Sequence, residues 1–569
     1  MSSLDWIVLI LTLLLIVVYG IYKSRNITNI DGFLLGNQEL PWYSVGLSVM
    51  ATQASAITFL SAPGLAYTSG MSFVQFYFGL PLAMIVLCVT FVPIFHKLKV
   101  YTAYEFLEKR FDIKTRALTA FLFLIQRGIS TGITIFAPAL ILSTILHLDV
   151  TITTLIMGCV VILYTTYGGS KAVSYTQLLQ MGIMFGGLLV AGAMVVYLLP
   201  VDVGFVDALH IAGKSGKTNA IDWTFDLNNQ YTVWTGLIGG FFLQLSYFGT
   251  DQSQVGRYLT GSSIRESRIG LLMNALLKVP MQFCILLIGV LVFTYYQYNS
   301  SPLFFNPVET VKLEKSEYRA EYHQLIDQQE QIHARRQSIL SDLSIAIKQE
   351  KENLTDLRAA ELNVLNEQSS QLRIQVIDLI KKNNPSADTN DNNYIFLSFV
   401  NSTFPKGMIG LLIAIIMLAS MGATASAINS LASTTVIDIY KRLIKKDDVG
   451  TDYLGVSRWC TIGWGVFTLI VALFATKLGN LLEAVNILGS LFYGTILGIF
   501  LVAFYFKSIM GKATFWAAIL TELIVVIIWN MEVVAFLWLN LIGCILVILF
   551  GYLLQHILPS NCTKTEKVV

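Results

Sequence analysis

The chain of 569 residues is 55% hydrophobic and only 13% charged, with a mean hydropathy of +0.64, too apolar for a soluble domain. A formal net charge of +2 gives no pull toward nucleic acid, and six cysteines scattered without a CxxC pair argue against a disulfide framework or a metal cluster. No phosphate-binding loop, GxSxG elbow or HExxH helix occurs, so the chain is read as no enzyme, and no organic cofactor is expected.

Runs of about 20 apolar residues recur, each long enough to span a bilayer as a helix. They are continuous rather than alternating, which favours helices over a barrel. The expected class is an all-α multi-pass membrane protein with about 13 transmembrane helices, over 4–22, 42–69, 74–95, 117–146, 150–168, 175–199, 231–256, 269–297, 404–436, 456–475, 480–506, 513–531 and 533–554. The first run follows Asp5 and no basic stretch, so it is not expected to act as a cleaved leader. Lys and Arg gather in alternate short loops: Lys23 and Arg25, then Lys97 to Arg116, then Arg257, Arg265 and Arg268, then Lys441, Arg442, Lys445 and Lys446. The basic side is expected to be cytoplasmic. That places the N-terminus outside and the C-terminus inside an inner or plasma membrane.

By domain, 1–297 holds the first spans, including 42–199 and 231–297. Residues 298–403 form a polar insert on the outer side, 404–554 hold the remaining spans, and 555–569 are a cytoplasmic tail. From Val311 to Lys382 the insert has neither Gly nor Pro, and its apolar residues recur at three- and four-residue spacing. One or two long helices are expected, with a hairpin turn near 348–353. Such a segment suits a self-packed spacer, a coiled coil or a dock for a protein partner.

Without the first span and the last two, ten spans divide into five (42–199) and five (231–506). An odd number per unit forces the two units into opposite orientations, the inverted-repeat plan of many secondary transporters. In that plan the first helix of each unit is broken near the midplane. The candidates, 42–69 and 231–256, are long and polar: Ser44, Ser48, Thr52, Gln53, Ser55 and Thr58 in one, Gln244, Ser246, Tyr247 and Asp251 in the other. Scattered Ser and Thr serve helix packing, but Gln and Asp at membrane depth call for a cavity.

The stretches "ATQASAITFLSAPGLAYTSG" (51–70), "TAYEFLEKRF" (102–111), "IFAPALILSTI" (135–145), "YTTYGGSKAVSYTQLLQ" (164–180), "FGTDQSQVGRYL" (248–259), "NSLASTTVIDIYKR" (429–442) and "AVNILGSLFYGTILGIFL" (484–501) fall in order along the chain. On these it resembles the sodium/solute symporter family of glucose, proline, iodide and sialic-acid cotransporters. The resemblance implies a leucine-transporter-like five-plus-five inverted repeat. It also implies sodium bound by backbone carbonyls, which map here to Ala51, Ala54 and Ala419, and by a hydroxyl pair that maps to Gly422 and Ala423, neither of which has a side-chain oxygen. In some members a second sodium uses an aspartate, here Gln177, and hydroxyls that map to Ala425 and Ser426; only Ser426 keeps one. Three readings stay open: neighbouring oxygens such as Thr52, Thr424 and Ser426 rebuild the site; sodium coupling is weak or absent; or the chain is a sensor or scaffold.

For the solute site, the resemblance and the polarity at membrane depth together select Gln53, Thr58, Gln75, Arg127, Gln244 and Tyr247, with Asn486 and Ser490 behind them. Arg127 lies within an apolar helix, where lipid exposure would cost at least ~2.5 kcal/mol. It reads either as a clamp for a carboxylate or as a structural ion pair, with Asp251 as a candidate partner. The expected function is secondary-active transport of a small polar, anionic organic solute by alternating access. The alternative is a transporter-fold sensor or scaffold that recruits a partner through the insert.

Overall fold

The computed structural model describes residues 1–24, 38–146, 148–385, 387, 389–445, 452–475 and 481–558. Arg25, Lys446 and nearly all of the tail from 555 therefore lie outside the described residues. Among the described residues the chain is helical apart from its turns, with a single isolated bridge, Leu40 to Gly261, and no strand.

The helices run α1 Ser3–Ser24, α2 Trp42–Gln53, α3 Ala56–Ser69, α4 Met71–Leu98, α5 Glu105–Arg110, α6 Ile113–Leu146, α7 Val150–Tyr197 and α8 Phe205–Lys214. Next come α9 Gly240–Thr250, α10 Gln252–Tyr258, α11 Ile264–Tyr298, α12 Pro307–Glu314, α13 Arg319–Lys348, α14 Glu352–Asn383 and α15 Asn392–Thr403. The chain ends in α16 Met408–Ile444, α17 Tyr453–Phe474, α18 Leu481–Tyr505, α19 Gly511–Asn530 and α20 Phe536–Ile557. Ten of these are long and apolar enough to cross a membrane, and the bent pair α2–α3 makes an eleventh. Apolar side chains exposed along their flanks, Leu15, Leu189, Leu276 and Trp459 among them, form the lipid-facing surface.

Three of the expected spans differ in form. Segments 150–168 and 175–199 run on as the single helix α7, because Gly168-Gly169-Ser170 is followed by no proline and the helix is not forced to stop there. Segment 231–256 is a π turn at Thr235–Gly239 followed by α9 and α10, of 11 and 7 residues, each too short to cross alone.

Close crossings at glycine hold the bundle together. A Cβ on Gly64 of α3 would sit 1.9 Å from the Asn392 carbonyl oxygen, and one on Gly289 of α11 would sit 2.2 Å from that of Pro63. The outer half of the bent pair is thus clasped between α11 and α15. Asp5 ties α1 to the start of α16 by accepting from the Gly407 and Gly410 amides at 2.5 and 3.2 Å. At the basic end, Arg116 of α6 donates to Asp438 at 2.8 Å and to Glu108 at 2.6 Å, and Thr102 donates to Asp438 at 2.8 Å. Arg442 also bonds Glu108, so α5, α6 and α16 meet in one buried ionic knot.

The insert is an antiparallel hairpin. Helices α13 and α14 turn at Gln349–Lys351, with Glu350 in the left-handed region at φ 53°. Leu325, Leu372, Val376 and Leu379 bury one seam between them, and Lys214–Asp356 (2.6 Å) ties the hairpin to α8.

Candidate functional site

Both long polar segments are broken. The α2–α3 pair bends by 60° at Ala54-Ser55, where the backbone leaves helical geometry (Ala54 φ −83°, ψ 84°). The α9–α10 pair breaks at Asp251 (φ −75°, ψ 118°). Breaks free backbone polar groups that a continuous helix would pair, and at membrane depth they are tolerated where they face protein or a cavity.

A cavity with about 830 Å³ of atom-free space lies at these breaks, walled by α2, α3, α4, α6, α9, α16 and α18. Of the expected solute residues, Gln53, Thr58, Arg127, Gln244 and Tyr247 line it, as does Asn486. Gln75 does not: it is fully buried, its amide nitrogen donates to the Tyr231 carbonyl at 2.8 Å, and its oxygen accepts from the Asp222 amide at 2.9 Å. It holds the 222–231 loop in place instead. Ser490 likewise bonds Asn540, at 2.9 Å. The sequence reading did not select Gln126, Ser130, Thr134, Thr424 or Tyr493, all of which line the cavity. Ser130 and Thr134 follow Arg127 by three and seven positions, so the helical repeat places them on its face; that signal was available.

The chemistry of the wall is polar and incompletely paired. The guanidinium of Arg127 stands 3.7 Å from Asp251 Oδ2 and lies over the Tyr247 ring, 5.8 Å from its centroid. Asp251 is also held by the Tyr493 hydroxyl at 2.7 Å and by Ser253, which donates its amide at 2.7 Å and its hydroxyl at 2.6 Å. Arg127 Nε, Gln53 Oε1, Gln126 Oε1, Gln244 Oε1 and Thr424 Oγ1 are buried with no protein partner. Buried polar atoms require one, so solvent or solute must meet them. Stacked Phe73 and Phe76 (5.2 Å between centroids) with Tyr77 bound one side, and Tyr247 with Tyr493 (5.8 Å) bounds another.

Beneath the cavity, the positions that correspond to ion ligands form a closed network. Ser48 Oγ donates to Gln177 Oε1 at 2.6 Å, and Gln177 Nε2 donates to Thr52 Oγ1 at 3.2 Å and to the Gly422 carbonyl at 3.3 Å. Thr52 and Ser426 hydroxyls share a 3.2 Å contact. Two of the oxygens that could have served a cation, Thr52 Oγ1 and the Gly422 carbonyl, therefore face an amide N–H donor. No carboxylate takes part among the described residues. A Cβ at Gly422 would lie 2.4 Å from Gln180 Oε1, the tip of a flexible side chain that would have to turn aside. Ala51 and Ala54 flank the break in α2–α3, and Ala419 lies in α16. As a donor set for a desolvated sodium ion, which needs oxygen ligands, this cluster does not fit.

A bundle of apolar helices opened at two points beside an enclosed polar cavity has the architecture of secondary transporters. The chain belongs to the sodium:solute symporter family, whose model matches residues 33–317 and 379–521. It is 24% identical over 576 residues to the sodium/sialic acid symporter NanT of Aliivibrio fischeri, covering 99% of this chain and 95% of that protein. It is 32% identical to the sodium-coupled monocarboxylate transporter 1 of Xenopus laevis over 52% of this chain, a match that spans only 47% of that relative. In fold it is similar to the substrate-bound outward-open state of a Na+-coupled sialic acid symporter, with a TM-score of 0.76, 22% identity, and coverage of 98% of this chain and 99% of that one.

Proposed function

We propose that the chain is a secondary-active transporter of a small organic carboxylate, working by alternating access around the cavity at the two helix breaks. The observation that carries this reading is Arg127: a buried cation at the wall of a cavity whose neighbours Gln53, Gln126 and Gln244 offer unpaired amide oxygens. A guanidinium suits a carboxylate, and the amides suit hydroxyl or amide groups on the solute's body. The solutes named for the similar proteins, sialic acid and monocarboxylates, are of that class. The scaffold reading has no observation in its favour, since a scaffold has no use for unpaired polar atoms in its core.

Sodium coupling is the family's common arrangement, and the relatives named above are sodium-coupled. In this chain we read the Gln177 network as taking the place of an ion, with transport weakly coupled to sodium or uncoupled from it. The five-plus-five repeat and thirteen crossings are part of the same reading. They require the chain to turn back within α7, whose 48 residues would span about 72 Å as one straight helix, against about 30 Å of hydrocarbon. The alternation of basic loops supports an outer N-terminus and a cytoplasmic C-terminus.

The test is uptake of labelled sialic acid and pyruvate by proteoliposomes, with an inward sodium gradient or with choline throughout. The reading predicts saturable uptake in both media, and its loss in Arg127→Gln. Uptake by neither solute, or uptake indifferent to Arg127→Gln, would sink it.

A further inference from the structure

The family model leaves 318–378 unmatched, and this is the stretch that forms the hairpin α13–α14. Where the hairpin meets the membrane bundle it borders a second, half-open space with about 1210 Å³ free of atoms, part of it open to solvent. Its floor is aromatic: Tyr67 at the end of α3 meets Phe293 and Tyr296 of α11 edge-on, with ring centroids 5.8 and 6.0 Å apart. Its walls bring together three cations, Lys217, Arg336 and Arg373. Arg373 is satisfied, since it pairs with Asp391. Lys217 donates to the Thr68 carbonyl, with its ammonium 5.0 Å from the centroid of the Phe293 ring. Arg336 is different. It is only 3% exposed, its Nε has no partner, and no carboxylate among the described residues pairs with it. The one carboxylate on the lining, Glu367, belongs to the exposed rim. A guanidinium shut away without a counter-charge is costly, and burial pushes Arg336 below its usual value. An anion would remove that cost.

We propose that the hairpin builds a second carboxylate site, in which Arg336 holds the carboxylate and the Tyr67–Phe293–Tyr296 floor takes the body of the same organic acid. The site itself rests on the geometry above; its service as a loading site for transport rests on the carrier reading. Its walls adjoin the outer half of the broken helix. Asp391, held by Arg373, precedes Asn392, whose carbonyl packs on Gly64, and Asn393, whose side chain accepts from Ser61 at 2.7 Å. The Lys217 carbonyl accepts from Met71 just beyond that helix at 3.0 Å. Filling the site therefore bears on the element that opens the transport cavity.

The experiment is equilibrium binding of sialic acid and of pyruvate to the purified full-length protein, with their methyl esters as uncharged controls. Arg336→Gln is expected to weaken one of two binding events by about tenfold, whereas Arg336→Lys, which keeps the charge, recovers most of it. Esters should not compete. Unchanged binding in Arg336→Gln, equal loss in Arg336→Lys, or no acid bound by the wild-type protein would each overturn the proposal. If Arg336→Gln fails to fold, Lys217→Gln serves instead, with about threefold weaker binding expected from the loss of one nearby charge; no change would count against the site. Gln244→Ala, in the central cavity, separates the two readings. Loss in the Arg336 variant alone leaves the second site standing without the central one, and loss in Gln244→Ala alone does the reverse.

Discussion

At position 422 a serine would bring a hydroxyl, a useful ion ligand, into a space already taken by Gln180. The contact of 2.4 Å with Gln180 Oε1 means that the glutamine would have to swing away to admit it. At position 177 an aspartate would have no N–H to give the Gly422 carbonyl, whereas the amide donates to that carbonyl and to Thr52 Oγ1. Each such hydrogen bond contributes about 1 kcal/mol net, so the network needs no ion to be stable. Gly422→Ser is therefore expected to lower stability by about 1 kcal/mol or less, the cost of moving Gln180 to another rotamer, read as a small fall in the thermal midpoint of the detergent-solubilised protein, with no recovery on adding sodium. The departures at Gly422, Ala423 and Gln177 were legible in the sequence because a side chain's identity decides whether it can ligate. That Gln177 donates to the Gly422 carbonyl, and that Gln180 lies against Gly422, needed the register of α7 against α16, which no local pattern encodes.

At the scale of elements, the polarity of 42–69 and 231–256 was enough to mark both as broken, because Gln and Asp at membrane depth need an aqueous face. Gln53, Thr58, Gln244 and Tyr247 on those segments, selected for the same reason, line the cavity. Gln75 had the same signal and a different fate, since two backbone groups of the 222–231 loop satisfy its amide; composition cannot tell a buried amide that pins a loop from one that faces solute. The hairpin was legible from its spacing and the absence of Gly and Pro, but its second cavity was not, since Lys217, Tyr67 and Arg336 converge from distant parts of the chain. Two outcomes follow. Gly64→Ala should cost ~1–3 kcal/mol, because the Asn392 carbonyl cannot yield without moving α15; it should also slow uptake more than an alanine at Gly463, around which nothing lies within 4 Å. The second concerns pH. Burial lowers Lys217 from 10.5 to about 8, so its ammonium is charged at neutrality and loses that charge as pH rises through about 8. Carboxylate binding under the hairpin should therefore weaken by about threefold between about pH 7 and about pH 9, and Lys217→Gln should flatten the profile.

On the scale of the whole molecule, the ionic knot of Arg116, Asp438, Glu108 and Arg442 closes the basic end. The polar cavity sits at the breaks, and the hairpin space lies where Tyr67 ends the outer half-helix. On the two proposals above, this arrangement would give a solute two stations in series, with the bent pair α2–α3 between them. The all-helical membrane class followed directly from hydropathy. The division of α7 did not, since periodicity and composition do not say whether a glycine pair ends a helix or lies within it. The central claim is that a carrier of this family has replaced an ion by an amide. It is tested most directly by saturation binding of radioactive sodium to the purified protein and to Gln177→Asp, with potassium and choline as competitors. The account predicts no saturable, sodium-selective binding in the wild-type protein and a gain of it in Gln177→Asp. Sodium-selective, saturable binding in the wild-type protein, lost when Thr52 or Ser426 becomes alanine, would contradict it and return the chain to ordinary sodium symport.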